Sequence, residues 1–224
     1  MRPLFYLIFL CLPTLILSCQ SAQKEEQKSN AVSEVKTVSI NLRKKVKSES
    51  EANSWETVEY TESWDPKRSA IIVTDMWDRH WCESATQRVA ELAPVMNKTL
   101  NNAREMGVTI IHAPSGTMDF YIDAPQRKAA MQIPSHKAPE GFPIDDWCYL
   151  DKNKEAALPI DDSDGGCDRP CADGEPCEEM TAWSRQTADI SIEDKDFITD
   201  QGQEVYNIMV ENNIDHIVVM GVHL

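Results

Sequence analysis

The chain has 224 residues, 42% hydrophobic and 26% charged, the proportions of an ordinary globular protein rather than a collagen, a coiled coil or a wholly disordered chain. Its 22 basic and 37 acidic residues give a formal net charge of −15, a field that repels phosphate backbones and excludes nucleic acid as a partner. No run of about 18 apolar residues exists to form a standard spanning helix.

The N-terminus reads as a targeting segment. Arg2 supplies a positive charge, and Leu4 to Leu17 is an almost unbroken apolar stretch, too short to span a bilayer and suited to a secretory core. It ends in Ile16-Leu17-Ser18-Cys19 and turns polar at once. An aliphatic residue, a small residue and then Cys resembles a bacterial lipobox, in which the thiol takes a diacylglycerol. Residues 1–18 are therefore expected to be a signal peptide, with Cys19 lipidated. The protein would be exported to the cell envelope (periplasmic side or outer membrane), with that lipid as its sole membrane attachment. Cys11, inside the apolar stretch, reads as one more apolar residue.

Residues 19–34 form a polar tether rich in Gln, Lys, Glu and Ser, without periodicity. Over 35–68, Val38, Ile40 and Leu42, then Val58 and Tyr60, alternate with polar residues, which predicts a short β-hairpin turning at Lys47–Ser54. Residues 69–224 read as α/β. Ala70-Ile71-Ile72-Val73-Thr74-Asp75 has the pattern of a buried parallel strand. A helix follows on Val89, Leu92, Val95/Met96, Leu100, Ala103 and Met106, with Pro94 marking a break or kink and Gly107 a C-cap. Val108–His112 is the second strand; Gln203–Asn212 and Ile217–Met220 give a later helix and strand. The fold class is α/β: a parallel sheet with flanking helices, preceded by the hairpin.

Between these units, 113–200 is long and irregular, and about 140–200 is an acidic, Cys-rich insert. Cys167, Cys171 and Cys177 stand at four- and six-residue spacing beside Asp161-Asp162-Ser163-Asp164. Zinc ligation lacks a C-x-x-C, and calcium lacks the twelve-residue loop with its terminal Glu. A disulfide-stapled loop is favoured in an exported protein, with Cys82 or Cys148 as partner to the odd thiol. Asp75, at the C-terminal end of the first strand, lies where open α/β sheets bind ligands, and capping the following helix is its bland alternative.

Ala70-Ile71-Ile72-Val73-Thr74-Asp75-Met76-Trp77-Asp78 resembles the first-strand motif of the isochorismatase-like cysteine hydrolases, which include nicotinamidases. Gly107–His112 is similar to their second strand, and Asp200–Glu204 through Ile214–His223 to the lead-in to their nucleophile; the resemblance covers about 64–224. It implies a catalytic Asp, Lys and Cys, with Asp75 as the base for the thiol and a small carbonyl or amide substrate. Trp77, Asp78, Arg185, Val222 and His223 would line the pocket; His80 and His112 are candidates too, with a satisfied hydrogen-bonding histidine as the favoured role of each. A non-prolyl cis peptide would fall at or beside Val222–His223. It also implies a homo-oligomer. Neither cofactor nor metal enters the reading, because the Asp-x-His pair that holds a metal in nicotinamidases is replaced by His112-Ala113-Pro114-Ser115-Gly116.

The chain also departs from the family. The nucleophile would lie a few residues beyond Gly221-Val222-His223, past Leu224, so a C-terminally truncated sequence is expected. Ser191 stands where the Lys would align, with Arg185 and Lys195 as substitutes. Arg185 supplies charge but cannot transfer a proton, and Lys195 reads as a solvated surface charge. Cys82 reads as a disulfide or buried thiol rather than a replacement nucleophile. The alternative to the hydrolase is a non-catalytic envelope lipoprotein that uses the fold as a binding module.

Overall fold

In the computed structural model, residues 37–50, 54–144, 153, 167 and 180–222 are described. The signal segment, Cys19, the tether, His223, Cys148, Cys171 and Cys177 lie outside the described residues, as does most of the acidic insert.

The alternating stretch forms β1 (Val38–Lys47) and β2 (Trp55–Trp64), antiparallel in the register Val38↔Trp64 to Lys47↔Trp55. A Ser48 N–H to Ser54 carbonyl bond of 2.9 Å closes the turn where the sequence places it. The hairpin packs through its base: Val38, Ile40 and Trp64 border an apolar cleft against Met106, Val218 and Met220. Asp65 then accepts the Lys67 N–H at 2.9 Å and caps a single 3-10 turn, Pro66–Arg68, that delivers the chain to the main sheet.

That sheet is parallel, in the order β5-β4-β3-β6. Its strands are β3 (Ser69–Thr74), β4 (Thr109–Ala113), β5 (Phe197–Ile198) and β6 (His216–Gly221). The helix α1 (Glu83–Met106) connects β3 to β4 and covers one face. Ile71, Val73 and Ile110 of the sheet bury against Val89, Ala93, Met96, Leu100 and Ala103 of α1. Gly107 ends the helix at φ 92°, its N–H bonded to the Ala103 and Arg104 carbonyls, as the spacing predicts. Two expectations for α1 are narrowed. Leu92 faces outward, and of the Val95/Met96 pair Met96 is buried while Val95 is 67% exposed, because the buried stripe runs through Ala93 and Met96. Pro94 does not break the helix: Pro94 and Ala90, whose carbonyl loses its bond, are both exposed, which leaves that carbonyl open to solvent.

The other face is covered by α3 (Pro125–Gln132) and α4 (Gly202–Glu211), with Ala130 and Ile208 packed on Ile111, Ile72 and Phe197. A four-residue helix α2 (Met118–Tyr121) lies between β4 and α3. Structure within 113–144 was not expected from the sequence, nor was the packing of 180–200 onto the body. Gln186, Ile190, Asp196, Ile198 and Thr199 are all buried. Asp196, next to Lys195, lies inside the protein. β6 pairs with β3 on one side, and Ile217, Val218 and Val219 remain 42%, 40% and 49% exposed.

Candidate functional site

The C-terminal ends of β3, β4 and β6 meet at Asp75. Its backbone is left-handed, φ 48°, a conformation that Asp tolerates better than most residues and that concentrates at functional sites. Its N–H reaches the Ala113 carbonyl at 3.3 Å, and its Oδ1 accepts the Ser115 N–H at 2.9 Å. Among the described residues no other group bonds its side chain, so the carboxylate keeps acceptor capacity. Next to it, Gly221 at φ 142° is pressed against β3: a Cβ there would lie 2.0 Å from the Thr74 carbonyl oxygen. The Val222 N–H donates to that same oxygen at 3.2 Å, and Thr74 Oγ1 donates to the Val222 carbonyl at 3.2 Å. The chain leaving β6 is thus bound beside the residue that precedes Asp75.

A segment from the end of the insert lies over this corner. The Trp77 and Trp183 rings stack with centroids 3.9 Å apart and planes 4° from parallel. His80 is nearly parallel to both, about 6 Å away. Trp77 Nε1 donates to the Ser115 carbonyl at 3.1 Å, which ties the stack to the loop that holds Asp75. Asp78 accepts the Ser184 N–H, the Ser184 hydroxyl at 2.7 Å and the Arg185 N–H. Burial alone would push the Asp78 carboxyl up; those bonds outweigh it and hold its pKa below the ordinary value.

His112 is fully buried. Its Nδ1 meets Gln186 Oε1 at 2.9 Å and its Nε2 meets Asp196 Oδ2 at 3.1 Å. Arg104 completes the network on Asp196 through Nε and Nη2. Burial would raise the Asp196 carboxyl, but the bonds from His112, Arg104 and the Glu193 N–H lower it. His112 therefore pins the 186–196 segment to the sheet instead of opening onto the corner.

The expected residues separate accordingly. Asp75, Trp77, Asp78, His80 and Arg185 gather at one end of the sheet, with Val222 packed at its margin against the core. Lys195 lines a groove with Gly107, Val108 and Thr109, at the opposite end of β4. Cys82 is bonded to Cys167, which ties the insert to the start of α1. All described peptide bonds are trans; the Val222–His223 bond involves a residue outside them. Among the described residues no group of three or more His, Cys, Asp or Glu stands together as a metal cluster. Asp200 was missed. Its Oδ2 accepts the Gly116 N–H at 3.0 Å, so two carboxylates grip successive amides of one loop. Its position just past a two-residue strand carries no periodic signal.

No protein-family model matches this chain, and no curated protein matches it. The site rests on its own geometry.

Proposed function

We propose that the protein is an exported, lipid-anchored cysteine hydrolase of the isochorismatase-like type, acting on a small carbonyl or amide substrate. Asp75 is the base, and the nucleophilic cysteine is carried by chain that follows Leu224. The observation behind this reading is the Thr74–Gly221–Val222 contact, which holds Val222 beside the residue that precedes Asp75. In this mechanism the carboxylate takes the thiol proton. The thiolate adds to the carbonyl carbon, the amine or alcohol leaves with a proton, and water cleaves the thioester to release acid and regenerate the thiol. A thiol of pKa about 8.5 needs such a base, or a cation, to react at neutral pH. The Cys82–Cys167 disulfide supports an oxidising compartment and hence export.

The binding-module alternative is favoured by one observation: among the described residues no lysine or arginine pairs with Asp75, and Lys195 is at the far end of the sheet. The experiment is to read the coding sequence past Leu224 and assay its product on small amides and esters. A cysteine within roughly one helical turn is expected, with iodoacetamide inactivation and a fall of about a hundredfold or more on Asp75→Asn. A product without that cysteine would leave the fold as a binding module, and a hydrolase indifferent to Asp75→Asn would remove Asp75 as the base.

A further inference from the structure

Arg185 is held in an unusual setting at the corner occupied by Asp75. Its guanidinium carbon lies 5.4 Å from the centroid of the Phe120 ring, so the cation rests on a π-face. Its Nε is 4.0 Å from Asp78 Oδ2, the outer limit of an ion pair. Asp78 commits its oxygens to three shorter bonds from Ser184 and from the Arg185 backbone, which fix where the side chain starts. The positive charge is therefore oriented by Asp78 but only partly compensated. Among the described residues nothing accepts a hydrogen bond from Nη1 or Nη2, and the side chain is 44% exposed. A planar cation fixed through one nitrogen and one face, with its terminal fork open, matches a carboxylate presented edge-on.

We propose that Arg185 recognises a carboxylate on the substrate, so that the site takes small carboxylate-bearing molecules. The inference rests on the hydrolase reading for the reaction but concerns binding alone. Phe120, 56% exposed, is the platform, and its neighbour Tyr121 is anchored by accepting the Gln186 N–H at 3.0 Å.

The test compares phenylacetate with phenylacetamide, a neutral molecule of the same shape, by NMR titration of the full chain at physiological salt. The carboxylate is expected to bind about tenfold tighter or more. Arg185→Gln should erase that preference, and Arg185→Lys should restore only part of it, since lysine keeps the charge and loses the fork. Phe120→Leu should weaken phenylacetate binding while the near-ultraviolet circular dichroism of the Trp pair stays unchanged, which certifies the fold. Asp75→Asn should keep the preference. Equal binding of acid and amide, no saturable binding of the acid in the millimolar range, or a preference that survives Arg185→Gln would overturn the assignment. Loss of the hydrolase reading in the assay above, with carboxylate selectivity intact, would leave Arg185 as the ligand-recognition residue of a binding module.

Discussion

Two glycines separate the cost of a left-handed backbone from the cost of a collision. Gly141 has φ 83° with nothing within 4 Å of a built Cβ, whereas Gly221 has φ 142° and the Thr74 carbonyl 2.0 Å away. Gly141→Ala should lose about 1 kcal/mol, the penalty of that conformation alone. Gly221→Ala must also move β6 off β3, and about 3 kcal/mol or more is expected by urea denaturation. A similar loss in both variants would mean that the β3–β6 contact yields easily. Asp196 sets a pH dependence. Its folded pKa is below the ordinary value of about 3.9, so its contribution is present above that value and is lost as pH falls through the depressed one. Wild-type stability should therefore fall as pH drops below about 4. Asp196→Asn should cost about 3 kcal/mol at neutral pH, since it leaves Arg104 without its charge partner, and should flatten that acid limb. Asp78 and Glu204, also held low, keep part of the slope. An unchanged urea midpoint from pH 7 to pH 2 in both proteins would remove Asp196 from the account.

At the scale of elements, α1 tests how a helix survives a proline. Leu100 is fully buried while Val95 is two-thirds exposed, so Leu100→Ala should cost about 2–5 kcal/mol and Val95→Ala less than about 0.5 kcal/mol. Pro94→Ala restores a donor to the Ala90 carbonyl and should stabilise by about 1–3 kcal/mol in thermal or urea melts. A destabilised Pro94→Ala protein would show that the proline sets a bend the core requires. Elements with a long repeat were legible before any coordinates. The period-2 hairpin, the β3–α1–β4 unit, the Gly107 cap and the α4–β6 pair all carry patterns spread over many residues. The stripe on α1 was misjudged at Leu92 and left open at Val95/Met96 because the repeat admits two neighbouring faces, and only the sheet chooses between them. The elements α2, α3 and β5 were missed because they are short and depend on tertiary contacts, such as Arg127 with Glu204 and Tyr121 with the Gln186 amide.

For the molecule as a whole, the least legible feature is how the insert returns to the body. Asp75 and its strand could be placed from position in a parallel sheet, but the indole of Trp183 could not, because nothing periodic links it to Trp77. Two attachments hold this region, and they are separable. One is covalent: Cys82, at the N-cap of α1, bonded to Cys167 across 85 residues. The other is non-covalent: the Trp77–Trp183 stack, the Asp78 bonds to Ser184 and Arg185, the Thr187 N–H to the Met76 carbonyl at 2.7 Å, and Gln186 on His112. Breaking the disulfide removes a constraint on the unfolded chain worth about 2–4 kcal/mol, so a thiol reductant or a Cys82→Ser, Cys167→Ser protein should melt at a lower temperature. The second set does not pass through either sulfur. The near-ultraviolet signal of the paired indoles should therefore persist at temperatures below the new melt, and Arg185 should stay on Phe120. If that signal vanishes on reduction while the far-ultraviolet spectrum is kept, the covalent tie, and not Asp78, positions the segment over Asp75. Asp78→Asn in the oxidised protein then gives the reciprocal result, with the stack surviving the loss of the carboxylate. If the signal instead survives reduction and is lost in Asp78→Asn, the segment is held by its own polar contacts, and the site keeps its shape whatever the redox state of the insert.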